Sequence, residues 1–421
     1  MHHDDTGAPR THSRDTAGPA TRRDIRVRAR ARQIRWAAAV LVVVVVAGLP
    51  SARTPAPDLT WSVAYGGPGS DPWHGDFKAY GIECGSAARC WVPGATGHPG
   101  EGSVQDFDTQ VQLRLNGSTW STGRHDDFPQ QMRCLSADNC WGVDSRLLPG
   151  KWEHYDGRRW SVEAEFGVGV GFLRRFDCAD ATHCWAIGSD TGRDLIAVWS
   201  GGAWREVENA VAPRELLWDI TCPVVDECWT IGWKESVPFV VHLRDGRWSR
   251  IPVPQPPGDK TTDDRLVGSF LGSVTCAADQ CWVIGYAETE SGMSSAVTYH
   301  PFLVRFDGST PVLVPSPLPW PGTMSCPEID DCWMTSGVEM TQDVDEYGCC
   351  PGIAPPAVAH WDGTAWTVTN LVNPYHGLYD QIEGIDCPTP TVCWIVGAAY
   401  TSRKFDGHAA PVIYRGTATR D

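Results

Sequence analysis

Helix-forming segments are scarce in this chain. Apart from an Arg-rich N-terminus, no window of a dozen residues keeps a 3.6-residue apolar period without Gly, Pro or clusters of Asn and Asp. The 421 residues include 43 Gly and 32 Pro, which favour frequent turns. Because 42% of the residues are hydrophobic, the chain can still bury a large core. Together these features exclude α and α/β folds and predict an all-β protein.

Basic residues are scarce beyond the N-terminus. Residues 1–53 contain 10 Lys and Arg against 4 Asp and Glu, whereas residues 54–421 contain 25 against 47, a net charge of −22. Domains that bind nucleic acid usually carry an excess of positive charge to meet the phosphates. The balance therefore excludes nucleic acid as a partner and is ordinary for a secreted domain.

Cysteine spacings typical of zinc sites are missing. Paired zinc ligands usually have two to four residues between them and a second pair nearby, whereas the pairs here have five intervening residues, or four in one case. An even number of Cys at repeated spacing indicates disulfides formed in an oxidising compartment, and reduced cytosolic thiols are the alternative. Fourteen of the 16 Cys form the predicted disulfides Cys84–Cys90, Cys134–Cys140, Cys178–Cys184, Cys222–Cys228, Cys276–Cys281, Cys326–Cys332 and Cys387–Cys393.

The N-terminus has the pattern of an export signal. A basic, disordered flank over residues 1–35 precedes a signal or membrane-anchor segment over residues 36–52, and residues 53–58 form a linker. The apolar run is short for a spanning helix, but the basic flank is long for a cleaved signal, so an uncleaved anchor is the rival interpretation. We therefore expect a protein that is secreted, or anchored to the cell membrane through this segment alone with the remainder outside.

The Cys pairs mark an internal repeat. The first Cys of each pair recurs at intervals of 44 to 61 residues, which is the period of propeller blades. Each unit has an apolar residue two positions before the first Cys, and a Trp followed by apolar residues after the second Cys. Alternation with period 2 on both sides of the short turn predicts a β-hairpin that forms the two inner strands of a blade.

A second hairpin completes each unit. An apolar strand leads into a two-residue turn such as Asn116-Gly117, Asp156-Gly157, Asp245-Gly246, Asp307-Gly308 or Asp362-Gly363, where Gly supplies positive φ. A Trp usually opens the outermost strand, and Pro311 replaces it in one unit. These Trp residues are Trp120, Trp160, Trp204, Trp248 and Trp366.

The last unit lacks its outermost strand. Residues 59–63, which precede the first Cys pair, resemble Trp160-Ser161-Val162, so the N-terminal strand is predicted to close the last blade. The sequence thus predicts a monomeric seven-bladed β-propeller over residues 59–416 with a tail over residues 417–421. The Trp after each second Cys should wedge between blades, and these are Trp91, Trp141, Trp185, Trp229, Trp282, Trp333 and Trp394.

The repeats resemble two groups of known propellers. A hairpin with an Asp-Gly turn before a Trp strand is similar to the Asp-box (BNR) and kelch-type propellers. The Cys-x5-Cys-Trp unit is similar to uncharacterised, secreted, disulfide-containing propellers of high-GC bacteria. The Asp box proper has one residue between Asp and Gly, so Asp362-Gly363 departs from it. The resemblance implies the fold and no particular activity, because propellers host many chemistries.

Two enzyme classes are alternatives to a binding role. A glycan-processing hydrolase or lyase of the sialidase type would need an Arg cluster and an Arg-Ile-Pro signature, and no such signature stands near the start of the propeller. Cys349 and Cys350 are adjacent and could form a vicinal disulfide. Such a ring resembles one in quinone-dependent dehydrogenases, so a quinone- or copper-dependent oxidoreductase is the weaker alternative. The 13 His are dispersed and predict no metal site.

Hairpin order places the longest connections on one face of the propeller, which we call the loop face. Long loops on a rigid scaffold often carry function. Their acidic residues are interpreted as solvated charge, with calcium or a cationic or glycan ligand as the alternative and no other cofactor expected. The sequence predicts a non-catalytic binding propeller with an extracellular protein or glycan partner. The candidate ligand-binding residues are Trp73, Asp106, Asp108, Asp263, Asp264, Tyr286, Asp343, Asp345 and Glu346.

Overall fold

The described part of the chain is all-β. The computed structural model describes residues 57–66, 76–97, 109–124, 128–144, 150–166, 172–190, 192–200, 202–207, 211–212, 214–254, 265–290, 297–337, 356–372, 374, 380–400 and 409–418. No helix in these ranges is long and apolar enough to cross a membrane. The predicted basic flank and signal or anchor segment lie outside the described residues, as do Cys349 and Cys350.

The strands follow one another in seven groups that we number as blades 1 to 7. Blade 1 contains β2 (Asp76–Ala79), β3 (Glu83–Ser86), β4 (Arg89–Gly97), β5 (Thr109–Asn116) and β6 (Thr119–Arg124). Blade 2 contains β7 (Gln131–Ser136), β8 (Asn139–Asp144), β9 (Lys151–Tyr155) and β10 (Trp160–Glu165). Blade 3 contains β11 (Phe172–Cys178), β12 (Cys184–Asp190), β13 (Arg193–Ser200) and β14 (Ala203–Glu206).

The remaining blades repeat the same order. Blade 4 contains β15 (Leu216–Val224), β16 (Glu227–Lys234), β17 (Val237–Arg244) and β18 (Arg247–Ile251). Blade 5 contains β19 (Arg265–Ala277), β20 (Gln280–Glu290), β21 (Val297–Asp307) and β22 (Thr310–Pro315). Blade 6 contains β23 (Pro321–Glu328), β24 (Asp331–Ser336), β25 (Ala357–Trp361) and β26 (Trp366–Asn370). Blade 7 contains β27 (Asp380–Thr389), β28 (Val392–Tyr400), β29 (Ala409–Ala418) and β1 (Leu59–Tyr65).

The seven sheets close into a ring. Each innermost strand contacts the innermost strand of the next blade, from β3 to β7 and onward around to β27, which contacts β3. The N-terminal strand β1 pairs antiparallel with β29, and this confirms the predicted closure of the last blade. The strand β29 runs to Ala418 because Thr417 and Ala418 pair with Thr60 and Leu59. The chain is therefore a seven-bladed β-propeller.

All seven predicted disulfides are present, one in each blade. Each joins the innermost strand to its neighbour, with Cα atoms 3.9 to 4.1 Å apart. Strand pairing places Cys84 directly opposite Cys90 and Cys178 opposite Cys184, which is the close antiparallel approach that a short disulfide needs. Each of these seven disulfides lies within one blade, so none of the seven links one blade to the next.

The Trp after each second Cys packs against the disulfide of the following blade. Trp91 of blade 1 shares a buried cluster with Cys134 and Cys140 of blade 2. The same arrangement recurs in all seven interfaces, and Trp394 of blade 7 completes the ring against Cys84 and Cys90. These contacts confirm the predicted inter-blade wedges. They also explain why both faces of each sheet are apolar.

The turn before the outermost strand is more varied than predicted. Gly has positive φ in all five predicted turns, but Asp245 and Gly246 alone form the two central residues of their turn, both with positive φ. In blade 1, Asn116 pairs with Thr119, so the two central residues of the turn begin at Gly117 and not at Asn116. In blade 5, Asp307 pairs with Thr310, so the central residues begin at Gly308. In blades 2 and 6 the turn has four residues, because Asp156 and Asp362 accept hydrogen bonds from later backbone N–H groups.

Candidate functional site

The innermost strands share an irregularity four residues before the first Cys. In blade 3 the pairing passes from Leu173 to Arg175 and leaves out Arg174, and Trp218, Gly272, Gly322 and Glu383 mark the same place in blades 4 to 7. In blade 1 the innermost strand breaks after Ala79, and in blade 2 it starts at Gln131. A β-bulge turns a side chain out of the regular alternation and is frequent near binding sites.

These seven equivalent positions form what we call the bulge ring around the central channel. Five of them carry large side chains, whereas blades 5 and 6 have Gly. The members of the bulge ring are Tyr80, Gln130, Arg174, Trp218, Gly272, Gly322 and Glu383. Tyr80, Gln130 and Glu383 of this ring line one cavity, whereas Arg174 donates to Asp194 and to the carbonyl of Leu217.

This cavity of about 260 Å³ opens between blades 1, 2, 3, 6 and 7. One part of its lining is apolar, from Ile82, Met132, Phe176 and Ile385. The other part carries hydrogen-bonding or charged side chains, from Tyr80, Glu83, Gln130, Gln131, Arg175, Thr323 and Glu383. The mixture of a few polar groups with apolar walls is typical of small-molecule sites.

Glu383 is the most perturbed titratable group of the bulge ring. Burial raises the pKa of its carboxyl from 4.5 to about 7, and the positive charge of Lys78 offsets part of that rise. On the other side of the cavity Arg175 is exposed. Burial raises the pKa of Asp219, and the positive charge of Arg175 opposes that rise. The cavity therefore holds a carboxyl that titrates near neutral pH and a guanidinium group.

Two aromatic members of the bulge ring are exposed. Trp218 is 44% exposed and Tyr80 is 40% exposed. The indole N–H of Trp218 donates to the carbonyl of Gly272 in the next blade at 3.1 Å, and its ring lies 5.4 Å from that of Trp233. The Tyr80 hydroxyl accepts a hydrogen bond from Gln110 at 3.4 Å. Both rings are thus held in place by the propeller while their faces meet solvent.

Closer to the disulfides, polar side chains of the innermost strands connect each blade to the next. Most of them stand directly before the first Cys, and we call the set the inter-blade polar ring. Its contacts are Asp386 to the N–H of Cys84 (2.6 Å), Glu83 to the N–H of Cys134 (2.8 Å), Arg133 to Asp177 (2.7 Å), Asp177 to the N–H of Cys222 (2.7 Å), Asp219 to the N–H of Val274 (3.0 Å), Thr275 to the carbonyl of Met324 (3.0 Å) and Ser325 to the N–H of Cys387 (3.0 Å).

Charge is unevenly balanced within the inter-blade polar ring. Arg133 is the cation nearest to Glu83, Asp177 and Asp386. Burial raises the pKa values of Glu83 and Asp386, while Arg133 and the backbone N–H donors oppose that rise. Asp177 also accepts hydrogen bonds from the N–H of Cys178 and from the Thr221 hydroxyl. Since each of these carboxyls is tied to backbone, the cluster fixes the blades to each other.

Of the candidate residues predicted from the loops, the structure describes Tyr286. It lies in strand β20 rather than in a loop, is 6% exposed, and donates its hydroxyl proton to the carbonyl of Pro321. Its ring stacks between Phe270 and Trp320, and burial raises the pKa of its hydroxyl. The other candidates lie outside the described residues, namely Trp73, Asp106, Asp108, Asp263, Asp264, Asp343, Asp345 and Glu346.

Metal binding finds no support in the described ranges. No group of three or more His, Cys, Asp or Glu side chains is arranged there to hold an ion. The loop acids considered for calcium lie outside those ranges.

The bulge ring was missed by reasoning from the sequence. Periodicity of 2 treats the residue four before each first Cys as an ordinary strand position, because a bulge leaves no mark in a single repeat. A signal does exist in the aligned repeats, where this position holds Tyr, Gln, Arg, Trp, Gly, Gly and Glu, while the position two residues later is apolar in each.

Comparison with known proteins supports the fold. No family model matches the chain, and no curated protein matches it significantly. The chain is similar to an oligogalacturonate lyase from Vibrio parahaemolyticus, at 10% identity over 86% of this chain and 97% of the other, with a TM-score of 0.50. It is also similar to the β-propeller domain of the Trilobed protease from Pyrococcus furiosus, at 8% identity over 82% and 96%, with a TM-score of 0.49.

A third similar structure is YCF48 from Cyanidioschyzon merolae, at 10% identity over 84% of this chain and 98% of that one, with a TM-score of 0.48. The similarity to the lyase, at 10% identity, shows the propeller fold alone. The resemblance to Asp-box, kelch-type or high-GC bacterial propellers stays a prediction.

Proposed function

We propose that the protein is an extracytoplasmic, non-catalytic binding propeller that takes a protein or glycan ligand on the loop face, at the mouth of the channel. The observation that carries the proposal is the pair of exposed, anchored aromatic rings of Tyr80 and Trp218 in the bulge ring, of which Tyr80 lines the cavity. Exposed Trp and Tyr side chains that are already ordered lose little entropy on binding and often dominate binding energy.

The location outside the cytoplasm rests on the disulfides. Seven short disulfides in one chain suit an oxidising compartment, since cytosolic reductants keep thiols reduced. The predicted signal or anchor segment agrees with this location.

A glycan-processing hydrolase or lyase is the second candidate function, and Glu383 favours it. A carboxyl with a pKa of about 7 in a cavity is suited to general acid or base catalysis at neutral pH. The third alternative, a quinone- or copper-dependent oxidoreductase, rests on Cys349 and Cys350 outside the described residues.

Binding to isolated cell envelopes of the producing organism tests the proposal. We expect the labelled propeller to bind, and the double variant Tyr80→Ala with Trp218→Ala to bind at least tenfold more weakly. Val162→Ala is the control, because Val162 is also exposed but lies on the outermost strand of blade 2. Equal binding of the double variant and the control would contradict the proposal. Turnover of a glycan that Glu383→Gln abolishes would establish the enzyme instead.

A further inference from the structure

The two exposed rings differ in the polar atoms that they offer to a ligand. The indole N–H of Trp218 donates to the carbonyl of Gly272, whereas the Tyr80 hydroxyl accepts from Gln110 and can still donate its own proton. A ligand that stacks on these rings presents an apolar or weakly polarised C–H surface to their faces, with an acceptor near the Tyr80 hydroxyl. Tyr80 is in blade 1 and Trp218 in blade 4, at the same position of the repeat.

The cavity beside Tyr80 has polar lining groups that need hydrogen-bond partners from a ligand. Its lining includes the side chains of Gln131, Arg175, Thr323 and Glu383. Gln131 uses its amide N–H₂ on the carbonyl of Arg174, which leaves its amide oxygen as an acceptor toward a ligand. No hydrogen bond to the Glu383 carboxyl is found within the described part of the chain. An aliphatic or aromatic peptide side chain placed here would remove these groups from water without replacing their hydrogen bonds, which is unfavourable for each group.

The size of the cavity limits the ligand further. Pockets for drug-sized molecules measure roughly 300–1,000 Å³, and this cavity of about 260 Å³ is slightly smaller. One small ring with polar edges fits such a volume better than a loop of polypeptide. The lining of the cavity comes from blades 1, 2, 3, 6 and 7, so blade 4, which carries Trp218, adjoins the lined side of the channel at blade 3.

From these observations we infer that the ligand is a carbohydrate chain, with one sugar ring in the cavity beside Tyr80 and another stacked on Trp218. A pyranose has C–H faces that match the two aromatic rings, and hydroxyl groups at its edges that match Gln131, Arg175, Thr323 and Glu383. The inference rests on the proposed binding function and narrows its ligand from protein or glycan to glycan.

Titration calorimetry with defined oligosaccharides tests the inference. The probes are cellohexaose, xylohexaose, chitohexaose and hexagalacturonic acid, which differ in their substituents and charge. We expect at least one of them to bind with a Kd of about 1 mM or lower. Trp218→Ala and Tyr80→Ala should each weaken that binding at least tenfold. Tyr80→Phe should weaken it less than Tyr80→Ala does, because it keeps the aromatic face and removes only the hydroxyl. Val162→Ala should leave it unchanged.

Each outcome has a distinct meaning. If no probe binds, but the propeller still binds envelopes until protease removes the envelope proteins, the ligand is a protein, and the carbohydrate inference fails while the binding proposal stands. If neither probes nor envelopes bind, both fail. If a probe binds with equal affinity to all variants, the site lies elsewhere and the inference is wrong. Thermal melts of every variant, with Trp218→Leu and Tyr80→Leu as milder replacements, separate lost binding from lost folding.

Discussion

At the scale of single residues, Glu383 shows how position in the repeat decides chemistry. It occupies the same bulge position as Trp218, yet it is half-buried beside Lys78 and lines the cavity. Desolvation disfavours its ionised form, and the nearby ammonium group compensates only in part. The fold therefore keeps a carboxyl that changes charge near pH 7, which links both stability and ligand binding to pH.

We expect Glu383→Gln to change stability in a pH-dependent way. The carboxyl has a pKa of 4.5 in the unfolded chain and about 7 in the fold, so the fold retains the proton more tightly. Below pH 4.5 both states are protonated and there is no penalty; as pH rises toward 7, the wild type loses stability relative to a neutral side chain. The variant should match the wild type at pH 4 and be up to about 3 kcal/mol more stable at pH 8.

Urea unfolding at the two pH values measures this difference. Glu163→Gln is the matched control, since Glu163 is exposed on β10. An equal effect of Glu383→Gln at pH 4 and pH 8 would show that the carboxyl is not desolvated.

At the scale of strands and blades, two sets of side chains connect each blade to the next. The inter-blade polar ring makes this connection near the channel, and the Trp wedges make it farther out. Wedges such as Trp282 and Trp333 meet an aromatic ring of the next blade edge-on, at 5.3 Å from Trp366 and 5.6 Å from Trp61. Where blade 5 has Pro311 instead of a Trp, Phe306 takes the contact with Trp229 at 5.0 Å. Near the channel, hydrogen bonds and the two ion pairs of Arg133 with Glu83 and Asp177 make the connection.

Asp177→Ala should destabilise the propeller more than any neutral member of this ring. The carboxylate accepts from the N–H groups of Cys178 and Cys222 and from the Thr221 hydroxyl, and it pairs with Arg133. Its loss leaves three donors without this acceptor and removes one of the two ion pairs of Arg133. We expect a loss of about 3 kcal/mol or more. Ser325→Ala, which removes one neutral acceptor from Cys387, should lose about 1 kcal/mol. Urea midpoints compare the two, and equal losses would contradict an electrostatic role for Asp177.

The repeat made most of the fold predictable and little of the site. The Cys pairs, the Trp after each pair and the Trp strand of residues 59–63 predicted the blades, the wedges and the closure, because each depends on pairing and alternation within one hairpin. The contact of Asp177 with Cys222, and the exposure of Trp218, depend on how neighbouring blades meet. Pairing inside one hairpin contains no information on that arrangement. Tyr286, predicted as a loop residue, lies in a longer strand than its Gly-containing sequence indicated.

At the scale of the whole molecule, the covalent bonds do not close the ring. Each disulfide joins two strands of one blade, and a loop this short contributes about 2 kcal/mol by restricting the unfolded chain. Closure instead depends on the pairing of β1 with β29 and on the contact of Trp61 with Trp333 of blade 6. A reducing agent should therefore lower stability without opening the ring at one place, whereas loss of β1 should open it at blade 7.

Deletion of residues 59–65 tests this dependence on a single strand. Without β1, the backbone N–H and C=O groups of β29 that pair from Ile413 to Ala418 become an exposed sheet edge. Leu59 and Trp61 also leave the cluster that contains Trp333 and the disulfide of blade 7. We expect a loss of several kcal/mol, a lower Tm and concentration-dependent aggregation.

A synthetic peptide of residues 57–66, added to the deleted protein, should restore the Tm and the monomer by adding the missing strand. A scrambled peptide of the same composition should not, because its alternation would place polar residues against Trp333. An unchanged Tm in the deleted protein, or equal rescue by both peptides, would show that β1 does not hold the ring closed.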